Sequence, residues 1–94
     1  MNQHQALYLS SDKNQVHELK VVKPYFAMIE DGRKPFELRK NDRNYKTGDL
    51  LILREYVPDQ NEYTGYTLVA TVTCVVKGEW LAPDHVALGI RVLD

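Results

Sequence analysis

The sequence predicts a mostly-β domain, a small mixed barrel of about five strands with one or two short helices. Three observations predict it. Several short segments alternate apolar and polar side chains, the period of a half-buried strand. A single stretch, Pro24 to Asp31, repeats its apolar residues at helical spacing. Finally, many short strands in a chain of 94 residues leave edges that a closed or nearly closed barrel removes.

Residues 1–16 are rich in Asn, Gln, Ser and Asp around one apolar island, Ala6 to Leu9. They are expected to form a loosely held segment that adds at most a short strand or turn, with the domain proper over residues 17–94. From His17, Leu19 and Val21 alternate with Glu18 and Lys20 and the run stops at Pro24, which predicts a strand of about seven residues. Pro24 suits the first turn of a helix, Tyr25, Phe26, Met28 and Ile29 follow at helical spacing, and Gly32 stops it. Two turns do not hold in water alone, so this helix must dock, with Phe26 in the core.

Pro35 to Lys40 reads as a strand with Phe36 and Leu38 on one face and Glu37 and Arg39 on the other. A polar loop, Asn41 to Gly48, leads to Asp49–Tyr56, apolar on both faces and therefore a central strand. Pro58, Asp59, Asn61 and Gly65 mark a hairpin connection. Tyr66 to Lys77 is the longest strand, with Leu68, Ala70, Val72, Cys74 and Val76 expected on one face. After a turn over Glu79–Asp84, His85 to Leu93 closes the chain. Cys74 is expected to be a small buried hydrophobe, and Trp80 is assigned to the core in preference to a groove edge.

Composition bounds the function classes. The chain is 44% hydrophobic and 27% charged, as a soluble domain is, and runs such as Leu50–Leu53 fall far short of the roughly 20 apolar residues that cross a bilayer. The polar start carries no signal-peptide pattern, one cysteine excludes an internal disulfide and a multi-cysteine zinc site, and His4, His17 and His85 lack metal-ligand spacing. A cytoplasmic domain without metal, cofactor or membrane partner is expected. The net charge is −1, unevenly placed: eight bases face five acids between His17 and Lys46, and three bases face seven acids beyond it. The middle of the chain can thus present a basic surface or simply a solvated charged face.

The stretch Gly32-Arg33-Lys34-Pro35-Phe36-Glu37-Leu38-Arg39 fits Gly-x-Lys-x-x-Glu-x-Arg. With His17–Lys20 and Pro24–Phe26 before it, and Asn41-Asp42-Arg43 and Gly48-Asp49 after it, in that order, the chain resembles the ASCH family, short bacterial and phage type. The resemblance runs from about Val16 to Leu93. It implies a PUA-like β-barrel with RNA or a nucleotide held in a cleft between helix and barrel. One branch of the wider family is a 4-acetylcytidine amidohydrolase using a lysine, a threonine and a distant glutamate. Lys34 matches that lysine, Glu37 stands in the threonine's place, and no insertion between Val76 and His85 supplies the glutamate.

Two residues apart on a strand, Glu37 and Arg39 share a face and can pair, either as a structural ion pair or to leave the guanidinium fork aimed at a phosphate or base edge. Lys34 has the opposite parity and joins them only if Pro35 bends the strand entry. Asn41 and Asp42 either build the turn or, with Lys40, Arg43 and Lys46, lie along nucleic-acid phosphates. Tyr25 and Tyr45 are candidate stacking surfaces. The expectation is an RNA- or nucleotide-binding groove drawn from Lys23, Tyr25, Lys34, Glu37, Arg39, Lys40, Asn41 and Arg43. The alternatives are a small amidohydrolase with Lys34 and Glu37 catalytic, and an interaction module using the edge of the long strand.

Overall fold

The computed structural model describes residues 14–93; the expectation for residues 1–13, the apolar island included, lies outside the described residues. The elements are β1 (Val16–Val22), α1 (Lys23–Glu30), β2 (Phe36–Lys40), β3 (Leu50–Val57), a 3₁₀ turn (Pro58–Gln60), β4 (Glu62–Val76) and β5 (His85–Leu93). All five strands form one curled, half-barrel sheet in the order β1-β3-β4-β5-β2. β1 runs parallel to β3 and the other pairs are antiparallel. A parallel pair needs a crossover, and α1 and β2 both lie in it.

The alternation of β1 turns His17, Leu19 and Val21 inward. α1 starts at Lys23 with Pro24 in its first turn, where a missing N–H breaks no helical bond. Burying Phe26 and Ile29 against the core that contains Leu19, Val21, Leu51 and Leu53 contributes about 1.5–3 kcal/mol per side chain, which holds a helix too short to stand alone. Beyond the C-cap Asp31 the chain turns at Gly32, whose φ of +87° glycine adopts without strain. The Lys34 N–H then donates to the Met28 carbonyl, turning the chain back towards the helix. β3 is central, between β1 and β4, as its two apolar faces require.

Three expectations are corrected. β4 begins at Glu62, not Tyr66, because the turn after β3 is a single 3₁₀ turn with Asn61 left-handed behind it. The inward face of β4 does not run through Cys74. The register against β5 shifts between Val72 and Cys74, and this bulge swaps the faces: Ala70 and Val72 are buried, Cys74 is exposed, and Val75 packs on the core in its place. Trp80 is not in the core but 73% exposed, because the turn after β4 carries it off the sheet.

The half-barrel leaves β1 and β2 as unpaired edges facing each other. Two guanidiniums bridge them. Arg39 donates from Nη2 to the Lys20 carbonyl at 2.6 Å, and Arg43 from Nη1 to the Glu18 carbonyl at 2.7 Å. The carbonyls are two residues apart on one edge, so side chains close the seam where a sixth strand is missing. Arg43→Ala is expected to lower stability by about 1 kcal/mol, one hydrogen bond with a charged donor, and to speed amide hydrogen exchange along β1; exchange equal to wild type would show that the seam needs no latch.

Candidate functional site

β2 inverts the usual order of a half-buried strand. Glu37 is buried at 5% exposure and Arg39 half-buried, while Phe36 and Leu38 are exposed. A buried carboxylate on a strand whose apolar side chains face solvent is the informative departure. Its oxygens are both taken: Lys34 Nζ lies 2.6 Å from Oε1 and Arg39 Nε 2.9 Å from Oε2. Lys34 lies before the start of β2 and is not bound by the strand's alternation, and its ammonium also donates to the Phe36 carbonyl at 2.9 Å. The three charges form one connected set.

The set opens on a hollow of about 530 Å³ between the end of β1, α1 and the free edge of β2. Val21, Val22, Tyr25 and Met28 form one wall; Phe36, Glu37, Leu38 and Arg39 form the other, with Arg33 and Lys34 at the rim. Tyr25 is half exposed, with the Lys34 ammonium 5.8 Å from its ring centroid and 4.9 Å from that of Phe36. Arg33 is held by Asp31 through Nε and Nη2 at 2.8–3.0 Å, and this guanidinium keeps the Asp31 carboxyl below its ordinary range.

Of the expected site residues, the structure brings together Tyr25, Lys34, Glu37 and Arg39. Lys23 is exposed in the first turn of α1, outside the hollow's lining. Lys40 lies on the outer face opposite His85. Asn41 lines a second hollow on the β4–β5 turn, and Arg43 serves the seam. Tyr45 is no stacking surface: it is buried, its ring 4.8 Å from that of His17. Burial pushes its hydroxyl above the ordinary tyrosine range, against the pull of Arg43 and Arg39. The expected groove left out Val21, Val22, Met28, Arg33, Phe36 and Leu38; the helical spacing places Tyr25 and Met28 three apart, which was the available signal for Met28.

Behind the seam, Asp49 is 1% exposed and accepts four hydrogen bonds. Oδ1 takes Asn14 Nδ2 at 3.2 Å and the Gln15 N–H at 3.0 Å; Oδ2 takes the Lys46 N–H at 2.9 Å and meets His17 Nε2 at 2.8 Å. Burial pushes its pKa up, but these donors outweigh it, so the carboxyl sits below its ordinary value. Asp49 therefore ties the start of β1 to the loop before β3, and its role is structural. Among the described residues, no group of three His, Cys, Asp or Glu side chains is placed to hold a metal ion, and no helix is long and apolar enough to cross a membrane.

Known proteins place this chain in a family. The chain is similar to the "Uncharacterized 12.9 kDa protein in GpA 3'region" of Escherichia phage P2, 43% identical over 74 residues that make up 78% of this chain. The chain spans 65% of that relative's length. The family model described as "Domain of unknown function (DUF3850)" matches residues 16–90, which include β1, α1, the charged set on β2 and the Asp49 anchor. The chain belongs to the DUF3850 family.

Proposed function

We propose that this domain is an RNA- or nucleotide-binding module of the PUA-like, ASCH type, with its ligand seated between α1 and the free edge of β2. The observation that carries the reading is the buried Glu37 fixed by Lys34 and Arg39 beside an open hollow with an aromatic wall. A carboxylate held by two cations is an oriented acceptor, able to take an N–H from a base edge. Arg39 has five N–H donors; Nε and Nη2 are engaged, and Nη1 has no hydrogen-bond partner among the described residues. Tyr25 offers a face for stacking, worth about 1–3 kcal/mol per base. Lys34 and Arg33 at the rim meet phosphate.

Fluorescence anisotropy of a labelled octauridylate at 50 and 200 mM salt tests this. Two phosphate contacts on a single strand predict a loss of about sevenfold in affinity over that range. Arg39→Ala is expected to weaken binding at least tenfold beyond Arg43→Ala, which shares its seam role but lies outside the hollow. Absence of binding at low salt, or indifference to Arg39→Ala, rejects the proposal. Release of acetate from 4-acetylcytidine, lost in Lys34→Ala, would move the assignment to hydrolysis.

A further inference from the structure

We infer that Trp80, on the β4–β5 turn, is a second base-stacking platform, and that the hollow beside it takes a further base of the same single strand. The inference rests on the RNA-binding reading above and extends it to the β4–β5 turn, outside the first hollow.

Trp80 is 73% exposed, the largest apolar side chain left in solvent among the described residues, yet it is seated. A Cβ built on Gly78 would fall inside the contact envelope of the indole carbons Cζ2, Cε2 and Cη2. Gly78 is not among the glycines with positive φ, so its backbone does not require glycine; the close approach of the ring does. One face of the indole thus rests on backbone while solvent reaches the rest of the ring. A ring already fixed loses little freedom when a base stacks on it.

The backbone that seats the ring also lines a hollow of about 500 Å³, together with Asn41, Lys77, Glu79, Asp84 and His85. These groups suit a base better than a phosphate. The carboxylates of Glu79 and Asp84 repel phosphate but accept from exocyclic amines. His85 Nδ1 is tied to the Pro83 carbonyl at 2.8 Å, which leaves Nε2 to a ligand. Asn41 Oδ1 is buried without a hydrogen-bond partner among the described residues. Lys40, across from His85 on β2, and Lys77 supply cations at the margin.

The two hollows are joined by β2 itself. Glu37 lines the first and Asn41 the second, four residues apart and so about 13 Å along an extended strand. A strand leaving Tyr25 and Arg39 along β2 therefore meets the indole within a few nucleotides, inside the roughly 4–16 nucleotides that small barrel domains cover.

Trp80 is the only tryptophan of the chain, so its emission reports the event. Octauridylate is titrated at 50 mM salt while anisotropy of the labelled strand and emission of Trp80 are both read. The inference expects quenching that saturates with the anisotropy change. It also expects affinity to fall by about 5- to 150-fold in Trp80→Ala, the range for loss of one stacked base, with partial recovery in Trp80→Phe. Gly78→Ala keeps the indole but removes its seat, and is expected to weaken binding too, with the melting temperature confirming the fold of each variant. Binding that depends on Arg39 with no quenching, and within twofold of wild type in Trp80→Ala, overturns the platform and leaves the first site standing. Quenching and Trp80 dependence in the face of indifference to Arg39→Ala supports the platform and overturns the first site. No binding by either reading overturns both.

Discussion

Asp49→Ala is expected to remove about 3–5 kcal/mol of stability, the cost of breaking a buried, fully bonded charge by deleting one partner. The whole domain has only about 5–14 kcal/mol at its size, so the variant is expected to lose a large share of its stability and to melt well below the wild type. The mechanism is specific. Without the carboxylate, the Gln15 and Lys46 N–H groups, the Asn14 amide and the His17 ring lose their shared acceptor, and the first strand loses its tie to the loop before β3. Asp49→Asn keeps an acceptor oxygen and is expected to lose less. Since the folded chain holds this carboxyl below its ordinary value of about 3.9, the unfolded chain binds more protons as pH falls through that value. The contribution is complete well above pH 4 and is lost as the pH drops towards the depressed folded value. Urea midpoints between pH 7 and pH 2.5 are therefore expected to fall more steeply in the wild type than in Asp49→Asn. Parallel acid limbs would show that the carboxylate does not anchor the fold.

Glu37→Ala is expected to destabilise the domain by about 2–4 kcal/mol and to abolish ligand binding. It leaves Lys34 and Arg39, both largely withdrawn from water, without the carboxylate between them, and truncating one member of a buried charge set costs far more than removing the set. At about 4–8 °C per kcal/mol for a domain of this size, the melting temperature falls by roughly 10–30 °C. The triple variant Lys34→Met, Glu37→Leu, Arg39→Met separates the two roles. It is expected to regain part of the lost stability, because no charge is left unpaired although the Phe36 and Lys20 carbonyls lose their donors, while octauridylate binding stays absent. A Glu37→Ala variant within 0.5 kcal/mol of wild type in urea titration, roughly the noise of a surface substitution, would show that water already serves these charges and that the set is not preorganised. Restored binding in the triple variant would remove the charged set from the site.

How far the site could be read ahead of the structure differs residue by residue. Glu37 and Arg39 sharing a face follows from the period of two, whereas Lys34 meets them from outside the strand, which that period does not govern. Which way that face points did not follow. Period-two reasoning sets Phe36 and Leu38 against Glu37 and Arg39, and hydrophobicity alone would send the first pair inward; the structure sends the second. The reason is the seam: β2 is an edge, and its inward side meets the carbonyls of β1, which the Arg39 guanidinium satisfies and a leucine would not. Arg43, expected beside phosphate, is spent on the same edge. Cys74 fails because a bulge that no local pattern announces resets the faces beyond Val72, and Trp80 because the turn expected over Glu79–Asp84 carries it into solvent and not onto the core.

The sequence by itself determined the five strands, the helix over Pro24–Asp31 and the Glu37–Arg39 pair on β2, because alternation, proline and glycine act on the few residues around them. Only the tertiary structure decided that the half-barrel stays open between β1 and β2, that arginines latch it, that Tyr45 and Asp49 lie inside and Trp80 outside. Those outcomes depend on which backbone groups are left unpaired once distant strands have met, and an unpaired carbonyl draws a guanidinium from wherever the closed chain happens to bring one.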